Sequence, residues 1–359
     1  MTVRYAHEYD RRLRALHLGC GPHSYRNVLP AYRYAPIELA AVCDRQEERA
    51  RAFARQFGAQ AWYTDFARAL DEIRPEVVFL VAGYLPDGRP AYPELALQAL
   101  RAGAHVWMEK PPAATSAEIE TLAAVSREAN RVVMVGLKKA FFPAIRKAKE
   151  ITRRPEFGAV TSLYVRYPQS LPPAERRGDL KAMQGFLDHL CHPASILHSL
   201  GGPFATLQYR RCGHNGAVVA TIEFRSGAIG CLHLCAGISG TSPLERVEVV
   251  GQGANVIVEN GCRLLYYRPG ARGGYGRAGS FIGADESAPW CWEPEFSLGQ
   301  LYNSGLFLLG YAPEIVHFCE CVLGGAAPEE GGLDAALAVT QLYEAFAGPE
   351  GAILPIGAA

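Results

Sequence analysis

The chain has 359 residues, 49% of them hydrophobic and 20% charged, with 36 Lys+Arg against 36 Asp+Glu. That length predicts two domains with a filled core in each and excludes a disordered chain. A formal net charge of zero gives no pull toward nucleic acid or an anionic membrane, and no apolar run is long enough to span a bilayer. The opening "MTVRYAHEYDRRLR" has no signal-peptide core, so the expected location is cytoplasmic. In that compartment the ten cysteines, with no C-x-x-C pair among them, are expected to be reduced and mostly buried.

Residues 13–18, "LRALHL", read as an apolar strand running into "GCGPHS", where Pro22 suits the first turn of a helix. Residues 37–42 are a buried strand and 44–57 an amphipathic helix. Strands then follow at 76–82, 104–109 and 131–136, with helices at 93–103 and 116–130 between them. This alternation predicts a doubly wound parallel α/β sheet, a Rossmann domain over residues 1–136.

Gly19 and Gly21 fall where a dinucleotide-binding turn needs them. The first permits the tight turn, and the second lets the backbone approach a pyrophosphate at the helix N-terminus. Pro22 and His23 open that helix, and Ser24 holds the third glycine position. Asp44 ends the second strand roughly 20 residues on, where a carboxylate binds the ribose hydroxyls; capping the next helix is a compatible role. Ala82, Gly83 and Tyr84 follow the third strand and Glu109 and Lys110 the fourth, at the edge where open α/β sheets take ligands. All are expected at the cofactor. NAD is expected over NADP because a carboxylate beside a 2′-phosphate is unfavourable, while Arg45 keeps NADP open.

From about residue 157 the pattern changes to strands joined by glycine turns, at 159–169, 206–212, 218–224, 227–237, 245–260 and 263–269. The expectation is an α+β domain over 137–359 with a large open, mostly antiparallel sheet and helices on one face. Residues 269–300, glycine-rich and aromatic, read as a long loop: a flexible insertion, a lid or a subunit contact.

The segment "GFLDHLCHP" (185–193) packs Asp188, His189, Cys191 and His192 into five positions. His189, Cys191 and His192 are zinc-ligand types, but positions i, i+2 and i+3 of a helix do not converge and no partner cluster stands elsewhere, so no metal is expected. Asp188 and His192 are four apart, share one helical face and suit acid–base chemistry. His189 and His198 are assigned to packing or helix surface. Just upstream, Arg166, Gln169, Arg176, Arg177 and Lys181 either read substrate hydroxyls or an anionic group, or form a solvated basic loop.

"HVWMEKPPA" (105–113) carries Lys110 after a strand end in E-K-P. With "LHLGCGPHSYRNVLPAY", "VGLKKAFFPAIRKAKEI", "GFLDHLCHPASILHSLGG", "GYAPEIVHFCECVLGG" and "LDAALAVTQLYEAF", it makes nearly the whole chain resemble the Gfo/Idh/MocA family, the glucose–fructose oxidoreductases and inositol dehydrogenases. The resemblance implies an NAD(P)-dependent oxidoreductase acting on a CH–OH group of a sugar, cyclitol or glycoside. Lys110, Asp188 and His192 would form the catalytic set, on a D-x-x-x-H segment that starts a helix. His192 would exchange the hydroxyl proton, Lys110 polarise the oxygen and Asp188 orient the ring; whether Lys110 or His192 takes the proton stays open. Substrate contacts are expected from Tyr92, which stands near the family's usual His, and from Lys138 or Lys139, Arg166, Gln169, Asp188 and His192. Ser195 replaces an Asp common in the family, which favours a neutral ring over an amino sugar. The resemblance also implies a homodimer or homotetramer formed through the C-terminal sheet. Two alternatives remain: a hydrolase or lyase using NAD for transient oxidation, and a non-enzymatic dinucleotide sensor, against which the intact Lys110 and His192 argue.

Overall fold

The computed structural model describes residues 3–269, 289–294 and 304–357. In chain order the first half holds β1 (Leu13–Leu18), α1 (Leu29–Ala31), β2 (Ile37–Cys43), α2 (Glu47–Phe57), β3 (Ala61–Tyr63), α3 (Phe66–Ile73), β4 (Val77–Leu80), α4 (Tyr92–Arg101), β5 (His105–Met108), α5 (Ser116–Ala129) and β6 (Val133–Val135). Its six strands pair in parallel in the order β3-β2-β1-β4-β5-β6. Every side chain of β4, "VVFL", is buried, as a strand covered on both faces requires. The register sets Leu18 beside Leu80 and Leu80 beside Met108, so the residues that follow these strands emerge together at one edge. The strand order reverses between β1 and β4, which opens the ligand crevice of such sheets there.

Two features depart from the expected half. The pair β3–α3 was not anticipated: β3 is three residues long, and none of them is fully buried. The helix after the glycine turn is helical from Pro22, but Ser24–Val28 wind as a π-helix, with the Leu29 N–H reaching the Ser24 carbonyl, before passing into α1. Pro30 follows at once; it has no N–H to donate into the helix, so a widened turn loses no bond there.

The second half holds α6 (Pro143–Thr152), β7 (Ser162–Tyr167), α7 (Leu180–Gly201), β8 (Phe204–Arg211), β9 (Val218–Phe224), β10 (Ile229–Leu234), β11 (Arg246–Val250), β12 (Asn255–Glu259), β13 (Arg263–Tyr267), β14 (Trp290–Trp292), α8 (Ser304–Leu308), α9 (Tyr311–Gly324), α10 (Leu333–Ala345) and β15 (Leu354–Pro355). Its nine described strands run in the order β14-β13-β12-β11-β7-β10-β9-β8-β15, antiparallel except for the parallel pair β7–β10. Burial alternates along β7 and β9, so one face packs on helices and the other is open.

The 22-residue α7 begins at Leu180, where the Asp179 side chain accepts the Lys181 N–H. The D-x-x-x-H segment therefore lies two turns inside the helix rather than at its start. Part of the expected 269–300 loop is strand β14, paired with β13; residues 270–288 and 295–303 lie outside the described residues. A division of the chain at residue 136 is also crossed by α9. Its Ile315, Phe318 and Cys319 join Leu13, Phe79 and Trp107 in one core on the parallel sheet, with the rings of Phe79 and Phe318 5.6 Å apart. Burying one such phenylalanine contributes roughly 1.5–3 kcal/mol. Among the described residues, no helix is long and apolar enough to cross a membrane.

Candidate active site

The edge at which β1, β4 and β5 end carries the glycine turn. Gly19 has φ +104°, and a Cβ on it would lie 1.9 Å from the Val81 carbonyl oxygen, so only glycine fits there. Gly21 differs: a Cβ on it would meet nothing within 4 Å, leaving the backbone open to an approaching phosphate. Beneath the turn, His17 accepts from the Tyr32 hydroxyl at 2.8 Å and donates to Ser24 Oγ at 3.0 Å, and Ser24 donates to the Gly19 carbonyl at 2.5 Å. Burial lowers the His17 pKa to about 4, so it is neutral. Ser24 was expected at the cofactor; it is fully buried, and its side chain braces the turn from below. Asp44 Oδ2 accepts the Cys20 N–H at 2.8 Å and Oδ1 that of Gln46 at 2.9 Å. Its carboxylate thus sits between the turn and α2; Arg45, the next residue, is exposed, as are Pro22 in the turn and Gly83 after β4. An open glycine cradle at a helix start and a carboxylate at the end of the next strand fit a dinucleotide.

Glu109 and Lys110 leave β5 at the same edge. Buried Glu109 accepts from His23 Nε2 at 2.7 Å and from the Lys110 N–H at 3.1 Å, while Asn27 donates to His23 Nδ1 at 3.2 Å. His23 so ties the helix start to the E-K-P segment. Lys110 Nζ lies 2.8 Å from Asp188 Oδ2, an ion pair that joins the parallel sheet to α7. From the loop after β4, Tyr84 also reaches α7, donating to the Gln184 carbonyl at 3.4 Å; the same loop includes Ala82, whose carbonyl accepts from Tyr92.

One turn after Asp188, His192 is 8% exposed. Among the described residues no hydrogen bond engages its ring nitrogens. Its pKa is held well below the usual histidine value, first by burial and then by Lys139, Lys110, Lys138 and His189. Tyr167 and His189 flank it at centroid distances of 5.9 and 6.3 Å. His189 stands at the rim, with Nε2 3.9 Å from Asp188 Oδ2. Cys191 points elsewhere: it is fully buried, its thiol donates to the Leu187 carbonyl at 3.3 Å, and burial pushes its pKa up to about 12. Among the described residues, no three His, Cys, Asp or Glu side chains converge to hold a metal.

Lys138 donates to the Tyr311 hydroxyl at 2.6 Å, with Nζ 4.2 Å from the ring centroid, and burial lowers its pKa to about 8. Lys139 pairs with Glu245, which precedes β11, and lies over the rings of Phe142 and Tyr167. Glu314 of α9 is fully buried, and burial and Glu109 push its carboxyl pKa well up. Tyr311, Glu245, Tyr167 and His17 were not anticipated. They lie far in sequence from the motifs they complete, and no local pattern marks them.

Several expected substrate contacts are not at the site. Arg166 lies on the open face of β7, with Leu163, Val165 and Tyr167 facing inward, and donates to the Pro243 carbonyl at 2.5 Å. Gln169 is buried and donates to the Phe186 carbonyl at 2.7 Å. Tyr92 is buried at the start of α4, and its hydroxyl donates to Ala82 at 2.5 Å, beneath the cleft. Arg177 is buried against Tyr209 and Glu350, while Arg176 and Lys181 are exposed. Ser195 is buried, and its hydroxyl donates to the His192 carbonyl at 2.9 Å.

Residues 13–137 match the family model described as "Oxidoreductase family, NAD-binding Rossmann fold", and residues 145–257 match that of the GFO/IDH/MocA C-terminal domain. The chain is 28% identical over 221 residues to D-xylose 1-dehydrogenase (NADP(+)) 2 of Haloferax volcanii, covering 59% of this chain and 66% of that one. It is 24% identical over 348 residues to scyllo-inositol 2-dehydrogenase (NAD(+)) of Bacillus subtilis, covering 91% of each. Several other curated relatives are matched over 47% of their length. A solved levoglucosan dehydrogenase, in complex with NADH and levoglucosan, shares the fold with a TM-score of 0.76 at 18% identity, over 96% of this chain and 100% of that one.

Proposed function

The chain belongs to the GFO/IDH/MocA family of oxidoreductases, and from that premise we propose that it transfers a hydride between NAD and a secondary hydroxyl or ketone of a sugar, cyclitol or glycoside. The observation that carries this reading is the Lys110–Asp188 pair at 2.8 Å, one helical turn from an imidazole with free nitrogens and at the same sheet edge as the glycine cradle. When bound, the dinucleotide supplies the hydride acceptor or donor. The chain supplies proton handling and orientation. His192, held neutral, accepts the hydroxyl proton, and its basic neighbours make it release that proton readily. Lys110 donates a hydrogen bond to the same oxygen and stabilises its developing negative charge. Asp188 fixes the Lys110 ammonium and accepts from the adjacent ring hydroxyl. A simple alcohol would leave these polar groups unmatched, at a cost of several kcal/mol.

Asp44 favours NAD over NADP in this reading, because its carboxylate suits ribose hydroxyls and repels a 2′-phosphate. A homodimer or homotetramer through the open face of the nine-stranded sheet is supported by Val219 and Ile229, 56% and 53% exposed there; light scattering of wild type against Ile229→Glu tests it. A cytoplasmic location suits the ten free thiols. The activity itself is tested by following NADH in a panel of ring polyols set against short aliphatic alcohols and 2-hydroxy acids. The reading expects turnover of at least one ring polyol; a short alcohol or 2-hydroxy acid outrunning every ring polyol contradicts it.

A further inference from the structure

Lys110 and His192 satisfy one reacting oxygen, yet the cleft holds two more ammonium groups. Lys139 is paired with Glu245. Lys138 has no carboxylate within ion-pair distance among the described residues; its hydrogen-bond partner is the Tyr311 hydroxyl, 2.6 Å away. In that bond the phenol oxygen accepts, so the Tyr311 O–H proton is left to donate elsewhere. Burial pushes the phenol's own pKa up, and it is a neutral donor at working pH. Two of the three N–H donors of Lys138 likewise remain.

The neighbouring carboxyls do not answer these donors. Glu109 is held by His23 and by the Lys110 N–H, Asp188 by Lys110, and the buried Glu314 carboxyl, its pKa raised by burial and by Glu109, makes no hydrogen bond among the described residues. The corner therefore presents an ammonium and a phenol proton side by side; Glu109 and Glu314 are the carboxyls that act on both, yet among the described residues neither is hydrogen-bonded to them, and Lys138 is one of the cations that lower the pKa of the nearby His192. Such a corner takes an anionic oxygen group, and a carboxylate offers two oxygens to two adjacent donors.

We propose that Lys138 and Tyr311 form a carboxylate subsite, and that the preferred substrate is a polyhydroxylated ring bearing a carboxylate, of the uronate or cyclitol-acid class. The proposal rests on the oxidoreductase reading above and moves its substrate from a neutral ring to an anionic one. It gives Lys138 a role: a carboxylate on Lys138 offsets part of the positive field at His192 and strengthens it as a base.

The test pairs acids with neutral rings of like shape: glucuronate with glucose, galacturonate with galactose, quinate with myo-inositol, each with NAD. Hydrogen bonds to a charged group are worth about 1.5–3 kcal/mol, so kcat/KM for the acid should exceed that for its neutral partner by roughly 10- to 100-fold in at least one pair. Lys138→Met should bring that ratio to about one and Tyr311→Phe should lower it several-fold, with the NAD Kd of each variant, measured by protein fluorescence, within about threefold of wild type. Neutral rings turned over as well as or better than their acids in every pair would overturn the subsite and leave the oxidoreductase reading standing. Lys138→Met weakening NAD while the acid preference persists would assign the corner to the cofactor, also overturning it. No turnover of any ring, acidic or neutral, would remove both.

Discussion

Replacing Gly21 with alanine should leave the free protein intact and damage only its hold on NAD, whereas the same change at Gly19 should damage the fold. At Gly21 the added methyl meets nothing within 4 Å, so unfolding free energy should stay within about 0.5 kcal/mol of wild type. In the proposed reading that open space is where the pyrophosphate approaches the backbone, and a methyl in a close-packed contact costs about 1–3 kcal/mol. The NAD Kd should rise roughly 5- to 150-fold. At Gly19 the methyl would lie 1.9 Å from one backbone atom, at φ +104°. Left-handed strain of about 1–2 kcal/mol adds to about 1–3 kcal/mol of overpacking, so Gly19→Ala should lose about 2–5 kcal/mol of stability. Denaturant unfolding gives the first quantity and fluorescence titration with NAD the second. Wild-type NAD affinity in Gly21→Ala would refute the cradle, and unchanged stability in Gly19→Ala would refute the packing of the turn.

Asp44→Ala should weaken NAD about tenfold more than NADP, as loss of a charged hydrogen bond implies; equal affinities for both would reduce Asp44 to a cap on α2. His17, with its folded pKa lowered to about 4, stays unprotonated where the unfolded chain takes up a proton, so its contribution is full above about pH 6.5 and is lost as pH falls toward 4. The loss should be about 3 kcal/mol at pH 4. Unfolding free energy compared between pH 7 and pH 4 should therefore fall less in His17→Gln than in wild type, and identical slopes would contradict the buried neutral assignment. The lowered His192 pKa keeps the base unprotonated below its ordinary value, so kcat/KM should stay flat down through pH 6.5 and fall only below it. An acid limb at or above 6.5 would contradict that role.

Much of the fold was legible because the strands of the first sheet are short, mostly apolar runs: β4 has no exposed residue, and β1, β2 and β5 nearly follow it. E-K-P and D-x-x-x-H were legible for a similar reason, since each brings its chemistry together within a few positions. What escaped depends on distance or on half-burial. The three residues of β3 carry no periodic signal. Tyr311 meets Lys138 across 173 positions, and Glu245 meets Lys139 across 106; only the packing of α9 and the turn before β11 creates those contacts. Arg166 was readable and was misplaced: in "SLYVRY" the alternation of Leu163, Val165 and Tyr167 already turns Arg166 to the opposite face. Gln169 and Arg177 look like surface recognition groups in sequence, but each is buried and satisfies carbonyls of its own domain, which composition does not show.

In the proposed mechanism Lys110, Asp188 and His192 handle the proton of a ring hydroxyl, and one measurement reaches that role most directly. It is the single-turnover rate of NADH formation at saturating NAD and ring substrate in Lys110→Met and His192→Ala, alongside the NAD Kd of each variant. Loss of a positioned acid–base group costs about 10²–10⁴-fold. The account predicts rates at least about 100-fold below wild type with cofactor affinity essentially kept. Wild-type rates in either variant, or slowing matched by an equal loss of NAD binding, would contradict it.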